Sequence, residues 1–122
     1  VESQMVVRRS DGTTRPLPIE RAAFLRFDLS RDRRRFASVV GTADGQELRI
    51  YDLRSGQRLA WQRAVRIGFP AWSPSGERLA VKVHTAQSEA FLVGAPGSAA
   101  PPDTLSAAVA ARTDVLEFLD EH

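Results

Sequence analysis

The sequence predicts an all-β fold made of repeated antiparallel sheets, and three observations support this fold class. Short runs rich in aromatic and β-branched residues alternate with turn signals along the chain. No stretch before Pro101 carries a helical period of hydrophobic residues. The same succession of strands and turns also returns after 43 residues. With 43% hydrophobic and 26% charged residues among 122, the composition is ordinary for a folded chain.

The repeat is clearest when Ser30 is aligned with Ser73, 43 residues later. The first segment then reads LSRDRRRFASVV, the second reads WSPSGERLAVKV, and Phe36 meets Leu79. Both segments start with a turn and continue into an apolar strand. The alignment therefore predicts two structurally equivalent units.

Two further matches extend the repeat in both directions. With a one-residue slip, the segment beginning at Glu47 falls against the segment beginning at Glu89. A weaker copy lies near the start of the sequence, where Gly12 precedes Gly56 by 44 residues. Periods of about 40–45 residues made of short strands are typical of the four-stranded blades of a β-propeller.

The repeat period predicts that residues 1–122 form one propeller fragment. Residues 5–18 are predicted to be the last two strands of a blade, residues 24–61 a full blade, and residues 69–105 a second blade. The strands predicted for the first full blade span residues 24–29, 35–40, 47–53 and 57–61.

The C-terminal segment, residues 106–122, leaves two interpretations open. As a strand, Val115 would begin the next blade, because it follows Trp72 by 43 residues. As a helix, the segment would be capped by Ser106. Its apolar stripe would consist of Val109, Leu116 and Leu119.

The second unit resembles the repeat core of WD-like β-propellers of the TolB type. The positions that carry the resemblance are Trp72, Ser73-Pro74-Ser75-Gly76, Arg78 and Leu79-Ala80-Val81. In the first unit Asp32 is retained, but Arg31 and Arg33 stand where that family has proline and glycine. Residues 51–59 are similar to the family's third strand, tight turn and fourth strand, and the resemblance covers roughly residues 5–95. The resemblance to this family implies a bacterial protein located outside the cytoplasm.

About two and a half blades are too few to close a propeller, which typically has 4–8. An open arc of blades would leave apolar faces and strand edges uncovered. We therefore expect the chain to be part of a larger propeller protein or one subunit of a multi-chain ring. Its expected partners are further blades, of the same or another chain, or a protein partner.

The residues that could carry chemistry predict no catalytic, cofactor or metal site. The two histidines, His84 and His122, have no partner at metal-ligand spacing. Ser73 lies in a Ser-Pro turn, and we expect its hydroxyl to stabilise that turn and not to act as a nucleophile. Residues 41–45 lack the spacing of a phosphate-binding loop. No cysteine is present, and no apolar run approaches the ~20 residues of a membrane span. We expect a protein that is not an enzyme, has no cofactor and does not span a membrane.

The sequence offers two kinds of candidate interaction residue. One is the arginine cluster Arg31, Arg33, Arg34 and Arg35. Arginines bind phosphates, but neither interleaved aromatic residues nor a nucleic-acid motif accompanies this cluster. We therefore expect these arginines to lie on a solvated turn, and we do not expect nucleic acid as a partner. The other is Trp72, for which we favour packing between blades, as for Trp61, over lining a ligand mouth.

The charge is unevenly divided. Residues 1–66 hold 14 arginines and 8 acids, giving +6, whereas residues 67–122 hold 3 basic residues and 7 acids, giving −4. Such a distribution suits docking of a basic surface against an acidic one.

Taken together, these features predict a non-catalytic propeller module for protein binding or assembly. The resemblance also implies two alternatives. One is the gating propeller of a larger serine peptidase of the prolyl-oligopeptidase type. The other is the propeller sensor domain of a bacterial signalling protein.

Overall fold

A computed structural model describes residues 2, 4–16 and 22–104 of the chain. These residues form antiparallel sheets without any helix, which confirms the predicted all-β class for this part of the chain. The C-terminal segment 106–122, with its strand and helix alternatives, lies outside the described residues. The strands are β1 (Val6–Arg8), β2 (Thr14–Pro16), β3 (Phe24–Leu29), β4 (Arg35–Thr42), β5 (Gly45–Asp52), β6 (Arg58–Ala64), β7 (Arg66–Ile67), β8 (Ala71–Trp72), β9 (Leu79–His84), β10 (Glu89–Gly94) and β11 (Asp103–Thr104).

The first large sheet has four strands in the order β3-β4-β5-β6, so each strand pairs with its neighbour in sequence. All four strands predicted between residues 24 and 61 are present. Strand β4 extends to Thr42 and β6 to Ala64, because the β4–β5 and β5–β6 ladders continue beyond the apolar runs visible in the sequence.

The second large sheet has five strands in the order β11-β10-β9-β7, and β8 also pairs with β9. Its first strand is interrupted at residues 68–70, where Pro70 cannot donate a ladder hydrogen bond. The sheet begins at Arg66, three residues before the predicted start at residue 69. Strands β1 and β2 form a separate hairpin.

The register of the two large sheets repeats with the 43-residue period. Phe24 pairs with Val40 in the first sheet, and Ile67 pairs with Val83 in the second. The period continues through the next ladder without the expected slip, since Glu47 corresponds to Ala90 rather than to Glu89. A one-residue slip would have turned every side chain of that strand to the opposite face.

The core lies between the two large sheets. Ala37, Val39, Leu48 and Ile50 of the first sheet pack against the second sheet. The residues that the second sheet contributes are Ile67, Trp72, Leu79 and Val81. Trp61 packs against this core. A Cβ atom at Gly94 would lie 2.9 Å from Pro102 Cβ and 3.0 Å from Trp61 Cζ2, so a larger residue there would force a neighbour to shift.

The two equivalent turns are held by the same hydrogen bonds. Ser30 N–H donates to the Arg35 carbonyl at 2.9 Å, and Arg35 N–H donates to Ser30 Oγ at 3.0 Å. Ser73 makes the corresponding pair with Arg78, at 2.8 Å and 3.1 Å, so its hydroxyl is used inside the turn.

Candidate interaction surface

A groove of about 710 Å³ lies beside the hairpin β1–β2 and the outer face of the first sheet. We call it the basic groove. It combines apolar side chains from β3 and β4 with arginines from the β3–β4 turn, the β5–β6 turn and the hairpin. Its lining residues are Met5, Val6, Arg8, Arg15, Phe27, Leu29, Asp32, Arg33, Arg34, Phe36, Leu53 and Arg54.

The apolar part of the groove is built on Phe36, which is buried in the outer face of the first sheet. The rings of Phe24, Phe27 and Tyr51 lie 6.2, 5.5 and 6.0 Å from the Phe36 ring, between centroids. A register irregularity between Phe24 and Arg26 allows Phe24 and Phe27 to share this face despite their odd spacing.

Strand β3 presents its apolar side chains to solvent. Phe27 is 54% exposed and Leu29 is 37% exposed, whereas Arg26 and Asp28, on the opposite face, are less exposed. An alternating strand normally buries its apolar residues and exposes its polar ones. Strand β3 therefore has an apolar face that the rest of the described chain does not cover.

Arginines surround this apolar floor. Arg8, Arg15, Arg33, Arg34 and Arg54 line the groove and are exposed, and the one carboxylate among the lining residues is Asp32. Hydrogen bonds from the Ser30 hydroxyl and the Arg34 N–H lower the pKa of Asp32. The groove therefore presents a positive rim, which favours acidic groups on a binding partner.

The structure separates the five interaction residues predicted from sequence. Arg33 and Arg34 line the basic groove. Arg31 lines a different cleft of about 340 Å³, together with Trp72. Arg35 is half-buried, with its guanidinium carbon 5.8 Å from the centroid of the Trp72 ring. Trp72 itself is only 8% exposed and belongs to the core between the sheets.

The groove-lining residues that were not predicted from the sequence include Arg15, Arg54, Phe27 and Leu29. Arg15 and Arg54 lie far from the arginine cluster in sequence and reach the groove only because the hairpin and the β5–β6 turn flank it. The alternation of Arg26, Phe27, Asp28 and Leu29 was a usable signal, but it does not tell which face is covered.

No protein-family model matches this chain, and a search of curated proteins finds no significant match either. Within the described residues, no group of three or more His, Asp or Glu side chains is placed to hold a metal ion. The part of the chain that the structure describes also lacks any helix long and apolar enough to cross a membrane.

Proposed function

We propose that this chain is a non-catalytic β-propeller module that binds a protein partner or further blades through the basic groove. The observation that carries the proposal is the exposed apolar face of β3. Exposing Phe27 and Leu29 beside the buried Phe36 costs free energy in water, and a partner sheet packed on them would remove that cost.

The internal repeat supports this proposal, because the second copy contains the same positions in a covered state. Forty-three residues after Phe27 and Leu29 stand Pro70 and Trp72, and both are buried. The first sheet packs against that face of the second sheet. By the same geometry, a preceding sheet would pack on Phe27 and Leu29.

The hairpin β1–β2 offers the edge at which such a partner would begin. Among the described residues β1 pairs with β2 alone, so its other edge is open to a further strand. Strand addition at an open edge supplies main-chain hydrogen bonds, and side-chain pockets supply specificity. We expect the added strands to carry small apolar residues toward Phe27 and acidic residues toward the arginine rim.

The mass of the full chain in solution, measured by light scattering across a concentration series, tests the proposal. We expect the wild-type chain to associate and Phe27→Asp to weaken that association, because the charge would lie in the apolar contact. Phe69→Asp is the matched control, since Phe69 is 56% exposed but lies outside the groove. Equal association of Phe27→Asp and the wild type would refute the proposal, and a folded, monodisperse wild-type monomer would exclude further copies of this chain as the partner.

A further inference from the structure

Another pocket, of about 400 Å³, lies at the interruption between β7 and β8. Its polar lining comes from two sheets, with Arg26 on β3 of the first sheet. The charged, titratable and aromatic side chains that line it are Arg26, Arg66, Phe69, Lys82, His84 and Glu89. This pocket is separate from the basic groove and shares no lining residue with it.

Positive charge dominates the pocket. Arg26, Arg66 and Lys82 supply three cationic groups, and Glu89 is the one carboxylate in the lining. Lys82 Nζ lies 3.6 Å from Glu89 Oε2, and His84 Nδ1 lies 3.2 Å from the same oxygen. Glu89 thus holds Lys82 and His84 side by side and leaves an excess of positive charge.

Phe69 gives the pocket an apolar wall. Its side chain is 56% exposed, and the guanidinium carbon of Arg26 lies 5.3 Å from the centroid of its ring. Arg26 Nη1 also donates a hydrogen bond to the Ile67 carbonyl at 3.4 Å. Arg26 is therefore held against the ring at the side of the pocket.

The first sheet serves as an internal control for these charges. The positions 43 residues before Arg66, Lys82, His84 and Glu89 hold Ala23, Val39, Gly41 and Gln46, none of which is charged. The same strand geometry therefore forms without any of the four charged or titratable residues. Lys82 is the single lysine of the chain; its side chain is only 10% exposed and its ammonium group is paired with Glu89.

We propose that this pocket binds a phosphoryl group carried by a small molecule with an aromatic or apolar part. Arginine guanidinium groups match phosphate oxygens in a forked geometry, and lysine is a common phosphate ligand as a point charge. Three cationic groups beside one carboxylate suit a dianion better than a monoanion. The exposed Phe69 ring provides a surface on which the apolar part of the ligand packs.

Binding to the full chain is measured by isothermal titration calorimetry at constant ionic strength, with phenyl phosphate, inorganic phosphate and benzoate as probes. We expect phenyl phosphate to bind most tightly, inorganic phosphate next and benzoate most weakly. Arg66→Gln should weaken phenyl phosphate binding by about tenfold, because it removes a charge-assisted hydrogen bond from an exposed side chain. Phe69→Ala should abolish the preference for phenyl phosphate over inorganic phosphate.

Arg78→Gln is the matched control, because Arg78 is an exposed arginine outside the pocket. It should bind phenyl phosphate as the wild type does, and circular dichroism should show that all variants are folded. The proposal is wrong if phenyl phosphate produces no saturable heat, if it binds Arg66→Gln as tightly as the wild type, or if benzoate binds equally well. None of these outcomes depends on whether the basic groove binds a protein.

Discussion

Asp28 and Trp72, 44 residues apart in the chain, are joined by two hydrogen bonds across the boundary between the two large sheets. The Trp72 N–H donates to Asp28 Oδ2 at 2.8 Å, and the indole Nε1–H donates to the Asp28 carbonyl at 3.0 Å. Burial raises the pKa of the Asp28 carboxyl, and the hydrogen bond from the Trp72 N–H partly opposes that shift. This contact aligns the first strands of the two sheets.

The Asp28 side chain can be tested by two substitutions. Asp28→Ala should lower the free energy of unfolding by about 1–3 kcal/mol, because the buried Trp72 N–H loses its acceptor. Asp28→Asn keeps an oxygen acceptor and removes the buried charge, so it should be at least as stable as the wild type at pH 7. Urea denaturation followed by tryptophan fluorescence measures both values.

The pH dependence of the same pair has a defined sign. Because the folded-state pKa of Asp28 is raised above its ordinary value of 3.8, its protonated form favours the folded state. That contribution is fully present below the unfolded-state pKa and is lost as the pH rises through the folded-state pKa. The stability of Asp28→Asn relative to the wild type should therefore increase from acid to neutral pH, and an unchanged difference would contradict this account.

Trp72→Ala should lower the free energy of unfolding by about 3–5 kcal/mol, because the ring fills the core between the sheets. Trp72→Phe is the companion variant, since it keeps much of the apolar volume and loses the indole hydrogen bond. We expect a smaller loss for Trp72→Phe, measured by urea denaturation followed by circular dichroism. Equal losses for the two variants would show that the hydrogen bond, rather than packing, carries the effect.

Arg33→Gly should stabilise the protein by about 1 kcal/mol, because Arg33 has a φ of 61°, a left-handed conformation that non-glycine residues adopt at a cost. Gly76 occupies the equivalent position in the second turn, with a φ of 77°. Thermal unfolding followed by circular dichroism measures the change in Tm.

Arg31→Gly is the matched control for Arg33→Gly. Arg31 is exposed in the same turn but has no positive φ. Glycine at this position should destabilise the protein, because it only increases the freedom of the unfolded chain. A lower Tm for both variants would rule out backbone strain at Arg33.

Glu47 contributes stability that depends on pH in the opposite sense from Asp28. Hydrogen bonds from Arg49 Nε at 2.6 Å and Arg63 Nε at 2.8 Å lower the pKa of its carboxyl below the ordinary value of 4.5. The contribution is therefore present above the unfolded-state pKa and is lost as the pH falls through the folded-state pKa.

Glu47→Gln should lower the free energy of unfolding by about 1–3 kcal/mol at pH 7, because partly buried Arg49 loses a charged partner. The difference from the wild type should shrink as the pH is lowered through the folded-state pKa of Glu47, since the wild-type carboxylate is then protonated. Urea denaturation at a series of pH values measures the difference. A constant difference over this range would mean that Glu47 acts through packing alone.

The repeat pattern allowed much of the fold to be predicted. Alternating apolar residues and the turns at Ser30 and Ser73 are local properties, so the four strands of the first sheet were visible in the sequence. The slip between Glu47 and Glu89 was wrong, because matching two glutamates carries less information than matching the buried positions Leu48 and Phe91.

The candidate sites were much less visible. The arginine cluster was identified, but Arg33 and Arg34 line one surface, whereas Arg35 packs over Trp72. Likewise Arg26 and Lys82 lie on different sheets and line one pocket only because the sheets pack together. Sequence spacing does not encode such contacts between sheets.

The sequence by itself determined the all-β class, the 43-residue period and the turns, because each of these depends on side-chain alternation and on local backbone preference. The tertiary structure alone decided which face of each strand is covered. In β3 the charged side chains Arg26 and Asp28 face the second sheet and form hydrogen bonds with its backbone. Phe27 and Leu29, on the other face of the strand, are exposed to solvent. Alternation along a strand distinguishes its two faces, but burial is a property of the neighbour that packs on each face.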